Sequence, residues 1–191
     1  MVEIKGKTWY RILSPKIFKE KEIGETLANS SDSLKGRQIN ITFSDLTGDL
    51  TKHYARVKLK IIDVKGDHAY TEFLEYELSK PYLTRLTRRR LSKIDVVKDV
   101  KLKDGDLARI KTLILTAHRA NTRQRTAVRN IIQQTIEKKF NNMDKEVLIN
   151  LLISDEMQRT VATIVKKIYP LRFLEIRKVE FKSKKKEAKA Q

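Results

Sequence analysis

Two runs of arginine are where this sequence could do chemistry. Arg85, Arg88, Arg89 and Arg90 have no acidic neighbour between Glu77 and Asp95. Arg119, Arg123, Arg125 and Arg129 have none between Asp106 and Glu137. A guanidinium is a planar fork of donors that grips a phosphate with two parallel bonds and can also stack on a base, which a lysine ammonium cannot copy. One such run, taken alone, reads equally well as a basic face turned to water. Two runs of the same kind favour a polyanionic partner that supplies the missing negative charge.

Other chemistries find little support. His53, His68 and His118 are scattered, without an HxH or HExxH spacing, so no metal site is expected. Neither GxxxxGK[ST] nor GxGxxG occurs, and no nucleophile-elbow serine is present. The carboxylate pairs Asp63/Asp67 and Asp104/Asp106 flank turns, where aspartate is expected for turn chemistry alone. A metal-dependent nuclease is the catalytic alternative, and it would need such carboxylates to converge. Neither catalysis nor a cofactor is expected.

The balance of the chain agrees. Lys plus Arg number 42 against 24 Asp plus Glu, a net charge of +18 over 191 residues. That surplus is the electrostatic footprint of a phosphate-rich partner. Cysteine is absent, which removes disulfides and zinc fingers and fits a reducing compartment. No apolar run reaches the ~20 residues of a transmembrane span, and the first ten residues lack the apolar core of a signal peptide. Membrane association is not expected, and the location expected is cytoplasmic.

The elements that must position the arginines can be read from periodicity. Strands are predicted at Trp9 to Leu13, Ile23 to Ala28 and Arg37 to Phe43, where Ile39, Ile41 and Phe43 alternate with polar residues. Trp9 is expected as a core or rim anchor. From Tyr54 to Asp63, Ala55, Val57, Leu59 and Ile61 form one face, and Arg56, Lys58 and Lys60 form the other. Glu72, Glu75 and Glu77 on the following strand are placed to pair with those cations across the hairpin. Pro81 then opens a helix expected to run to about Leu91, with Arg85, Arg88 and Arg89 at i, i+3, i+4. A hairpin at Asp104-Gly105 joins strands Ile94 to Leu102 and Asp106 to Thr116, and the apolar phase slips between Ile110 and Leu113, predicting a bulge or burial on both faces.

The stretch Thr116 to Asn141 is read as a helix with Val128, Ile131, Ile132, Ile136 and Phe140 on one stripe and its arginines in the leading half. Cations there oppose the helix dipole, at ~0.3–1 kcal/mol each. Helices Lys145 to Ile153 and Ser154-Asp155 to Ile168 follow, the latter with Met157, Val161, Ile164, Val165 and Ile168 inward. A final strand is expected from Leu171 to Phe181. From Lys182 the tail is basic, of low complexity, and expected to be disordered when free.

Several stretches, in order, resemble the small-subunit ribosomal protein family called S-three-A-e, or eukaryotic-type S-one. They are Trp9-Tyr10 with Ser14-Pro15 and Phe18; Ile23-Gly24-Glu25-Thr26-Leu27; Leu34-Lys35-Gly36-Arg37; and Asp45-Leu46. Lys58-Leu59, Asp63-Val64-Lys65-Gly66 and Thr71 with Phe73 follow. Then come Arg88-Arg89-Arg90 with Asp95, Asp104-Gly105 with Arg109, Tyr169-Pro170-Leu171 and Arg177-Lys178-Val179. The resemblance spans roughly residues 8 to 181, and the short termini are similar to archaeal members. It implies a structural, rRNA-binding protein on the platform of the small subunit, near the mRNA exit and the 3′ end of the small-subunit rRNA. Neighbouring ribosomal proteins, and mRNA near the exit, are the further partners it implies. A free RNA-binding translation factor or RNA chaperone is the alternative.

The expected fold is α+β: a curled, barrel-like antiparallel sheet of about seven strands with packed helices and a basic C-terminal tail. A single domain is expected over 1–181, sheet-rich over 8–116, helical over 117–168 and closed by the strand 171–181, with 182–191 as the tail. The expected phosphate contacts are Arg85, Arg88, Arg89, Arg90, Arg119, Arg123, Arg125 and Arg129, joined by Lys182, Lys184, Lys185 and Lys186 of the tail.

Overall fold

In the computed structural model, residues 6–182 are described. Their contacts cluster into two compact units, Met1–Glu77 and Leu78–Gln191. The fold is α+β. Among the described residues, eight strands and five α-helices follow one another, close to the strand number expected.

The first unit is built on β1 (Thr8–Leu13), β2 (Glu22–Ala28), β3 (Gln38–Thr42), β4 (Ala55–Lys65) and β5 (His68–Leu78). Its strands lie side by side as β2-β1-β5-β4-β3. The alternation read in β4 holds, with Ala55, Val57, Leu59 and Ile61 at most 1% exposed. On its other face Lys58 meets Glu75 at 3.3 Å, the cross-hairpin pairing expected there. Tyr10, Ala28, Leu34, Ile61 and Ala69 form a core. Phe43, expected at the end of a strand, instead opens the short helix α1 (Phe43–Thr47) and packs edge-on against Tyr76.

The sheet is mixed where an antiparallel one was expected, because β1 and β5 run parallel from Arg11↔His68 to Leu13↔Tyr70. Three strands lie between them in sequence, which gives the chain length enough to return in the same direction. No ladder joins β2 to β3 among the described residues. Arg37, one residue before β3, instead donates from Nη1 to Thr26 Oγ1 (2.7 Å) and Leu27 O (3.2 Å) of β2. Trp9, opposite Leu27, stands at the rim with 36% exposure.

The second unit holds α2 (Lys80–Leu86), β6 (Lys93–Lys101), β7 (Leu107–Thr116), α3 (Thr122–Phe140), α4 (Lys145–Ile153), α5 (Glu156–Lys166) and β8 (Leu171–Lys182). Within it β6, β7 and β8 form an antiparallel array with β7 in the middle. The predicted slip is present: the β7–β8 register shifts between Lys111 and Thr112, and Leu113, Ile114 and Leu115 are all buried. Gly105, at φ +79°, sits in the tight β6–β7 turn.

Helix α3 is fixed to β6 at both ends. Ahead of it, the Ala120 amide donates to Ser92 Oγ at 2.9 Å. Behind it, Asn141 Oδ1 accepts from the Lys101 amide at 3.1 Å, and the Asn142 amide donates to the Lys101 carbonyl at 2.8 Å. A helix of 19 residues spans ~28 Å and a strand of nine ~30 Å, so the two run alongside each other in the same direction. Val128, Ile132, Ile136 and Phe140 are buried as the stripe required.

Three helix boundaries also differ from expectation. Helix α3 begins at Thr122, not Thr116, because Asn121 and Gln124 form a reciprocal capping box. Helix α2 stops at Leu86, where the Thr87 amide reaches both the Leu83 and Thr84 carbonyls. Four arginines with no interleaved acid give a longer helix nothing to offset their repulsion. Helix α5 ends at Lys166, and Ile168, expected inward, is 43% exposed.

Candidate nucleic-acid interface

The early end of α2 takes Arg88, Arg89 and Arg90 off any helix. The face expected from i, i+3, i+4 spacing therefore does not form. They lie instead in the exposed loop leading to β6, with Arg90 at φ +70°. Arg85 remains in the last turn of α2, exposed. Arg119 likewise precedes its helix, in the exposed segment between β7 and α3. Arg123, Arg125 and Arg129 are on α3 and exposed, and its first turn contains no acid.

What brings the two runs together is a small polar knot. The Ser92 amide donates to Thr116 Oγ1 at 3.0 Å, and the Thr116 amide donates to the Ser92 carbonyl at 3.1 Å. Ser92 Oγ accepts from the Ala120 amide, and both Ser92 and Thr116 are buried. Arg90 lies two residues before Ser92 and Arg119 one residue before Ala120. By chain reach, their Cα atoms are at most about 18 Å apart.

A third connection meets the same end of the strands. The Ala117 amide donates to the Pro170 carbonyl at 3.0 Å, and Tyr169 Oη to the Arg119 carbonyl at 3.3 Å. This brings in Lys166, Lys167 and Arg172, all exposed, which the sequence reading left out. Their signal was hidden because Tyr169-Pro170 was read only as a helix stop and Arg172 only as a strand residue. Lys182 sits elsewhere. It is the last residue of β8, opposite Leu107, ~36 Å of strand from Leu171. Lys184, Lys185 and Lys186 lie outside the described residues.

The electrostatics separate the cations of this unit into two groups. Most of those on the strands are matched. Arg109 makes a bidentate pair with Asp99 (2.7 and 2.8 Å), Lys111 meets Glu180 at 2.8 Å, Lys98 meets Glu137 at 2.7 Å, and Arg177 meets Asp95 at 3.6 Å. None of Arg85, Arg88, Arg89, Arg90, Arg119, Arg123, Arg125 and Arg129 has a carboxylate within 4.0 Å among the described residues. Arg125 bonds only a hydroxyl, Thr122 Oγ1, at 3.1 Å.

The matched group has a pH signature. The bonds from Arg109 hold the Asp99 carboxyl below its ordinary 3.8. Partial burial pushes Glu180 up, but the bonds and charges of Lys111 and Lys178 together outweigh it and leave the group below 4.5. Carboxyls depressed in the folded state contribute stability that is whole above their unfolded values and lost as pH falls through the folded ones. The protein is therefore expected to lose stability as pH drops from about 4.5 downward. Asp99→Asn with Glu180→Gln should flatten that loss in denaturant titrations run from pH 7 to pH 3.

These features define a class: a strongly basic α+β protein whose surplus arginines are exposed and lack a carboxylate partner among the described residues, with the Arg88–Arg90 loop and the Arg119 segment tied together at one end of a three-stranded array. The chain belongs to the Ribosomal S3Ae family, whose profile matches residues 3–185. It is 40% identical over 176 residues to the small ribosomal subunit protein eS1 of Methanothrix thermoacetophila, covering 92% of this chain and 83% of that protein. It is also 40% identical over 181 residues to eS1 of Saccharolobus islandicus strain L.S.2.15, covering 92% and 85%. With eS1 of Saccharolobus solfataricus the identity is 38% over 176 residues, with the same coverage.

Proposed function

We propose that this protein is a structural constituent of the small ribosomal subunit that holds rRNA through phosphate and shape contacts. The observation that carries the reading is the set of eight exposed guanidinium groups without a carboxylate partner among the described residues. Such groups make two parallel, charge-assisted bonds to phosphate oxygens, and their cost in the free protein is relieved when RNA supplies the anions. The names of the relatives, all small ribosomal subunit proteins, support the same assignment.

The platform near the mRNA exit, close to the 3′ end of the small-subunit rRNA, is the location this reading assigns. Neighbouring ribosomal proteins are its protein partners, with mRNA at the exit a further one. The role is structural rather than catalytic, in cytoplasmic ribosomes. Lys182 adds a backbone contact remote from the arginines, and Lys184, Lys185 and Lys186 contribute further backbone contacts.

Sedimentation tests it. Small subunits stripped of loosely held factors by a salt wash and run through a sucrose gradient should retain the protein in stoichiometric amount. Recovery near the top of the gradient would favour a cycling RNA-binding factor instead.

A further inference from the structure

We propose that Phe173, with the Arg172 guanidinium beside it, is a stacking platform for an unpaired RNA base at the margin of the arginine cluster. The inference rests on the RNA-binding reading above and adds a second kind of contact to it. On β8 the side chains of Leu174, Ile176, Val179 and Phe181 are buried, whereas Phe173 is 38% exposed. The Arg172 guanidinium carbon lies 5.7 Å from the centre of the Phe173 ring. The guanidinium lies over the ring, and an aromatic ring and a guanidinium plane are each surfaces on which any base can stack, because every base has a π-face.

Placement favours RNA over another occupant. Phe173 is opposite Leu115 on β7, which is opposite Lys93 on β6. This row closes the end of the array where the Arg88–Arg90 loop, the Arg119 segment and the Tyr169 turn all meet. Lys93 is two strand spacings away, ~10 Å. The acids one row further in are Asp95 and Glu175; Asp95 is engaged by Lys93 at 3.4 Å and by Arg177 at 3.6 Å. A strand whose backbone is bonded to β7 holds the ring in place, so a base loses little by docking on it. RNA gripped by phosphate at the arginines would carry its next unpaired nucleotide over this ring.

The test compares two RNAs, a blunt duplex and the same duplex with a short single-stranded overhang, by fluorescence anisotropy on the full chain. The overhang is expected to tighten binding about tenfold, the effect of one stacked base. Phe173→Leu should abolish that gain while blunt-duplex affinity stays unchanged, and Phe173→Tyr should keep it. The stacking site is overturned if the duplex binds and the overhang adds nothing, as it would if Phe173 were covered by a neighbouring protein instead. It is equally overturned if Phe173→Leu keeps the gain or Phe173→Tyr loses it. If neither RNA binds, the phosphate-binding reading fails, and the stacking site falls with it.

Discussion

Replacing Arg88 and Arg89 together by glutamate is expected to lower RNA affinity on the order of 10³-fold at moderate salt, with the fold intact. Each arginine is free to make charge-assisted bonds worth ~1.5–3 kcal/mol to a phosphate, and reversal removes them and adds repulsion. Two such losses amount to ~3–6 kcal/mol, and each 1.4 kcal/mol is about tenfold. The fold should not register the change, because both side chains are exposed in a loop and make no ion pair among the described residues. Exposed substitutions of this kind shift stability by ~0.5 kcal/mol or less. The wild-type protein, neutralising about six phosphates, should itself lose about 10³-fold in affinity between 50 and 200 mM salt, and the double variant should show a shallower salt dependence. Anisotropy titrations across that range, with thermal unfolding as the control, decide the matter. Unchanged binding by the folded variant would remove Arg88 and Arg89 from the interface.

That experiment probes residues whose identity was legible in the sequence although their geometry was not. The arginine runs stand out because no acid interrupts them. Their local structure was misread because an i, i+3, i+4 pattern is compatible with a helix without being able to make one. Where periodicity was reinforced by burial, it held. The four inward residues of β4, the stripe on α3, the bounds of α4 and the slip in β7 all followed from the spacing of apolar, polar and capping residues in the sequence. The start of α3 was also present, as Asn121 and Gln124 three residues apart, but the apolar stripe drew the eye past it. The parallel pairing of β1 with β5 was not legible. It depends on backbone meeting backbone across more than fifty residues, and no local pattern encodes that.

The convergence of the two runs was equally hidden, since it depends on Ser92 and Thr116, two small polar residues with no pattern around them. Thr116→Val tests whether they position the site. Valine matches threonine in shape but lacks the hydroxyl, leaving the buried Ser92 amide without its Thr116 Oγ1 acceptor. A buried donor stripped of its partner costs about 1–3 kcal/mol, and the denaturation midpoint should fall accordingly. RNA affinity should fall too, because the Arg88–Arg90 loop and the Arg119 segment must then be ordered by the RNA itself. The discriminating measurement is the salt slope. Losing a phosphate contact reduces it by about one for each arginine removed. Loosening the scaffold leaves every contact available, so Thr116→Val should weaken binding at each salt concentration by the same factor and leave the slope unchanged. A slope that fell with the affinity would mean the valine variant had lost contacts outright. Affinity that held steady in a destabilised protein would mean the two arginine runs reach RNA without being tied together.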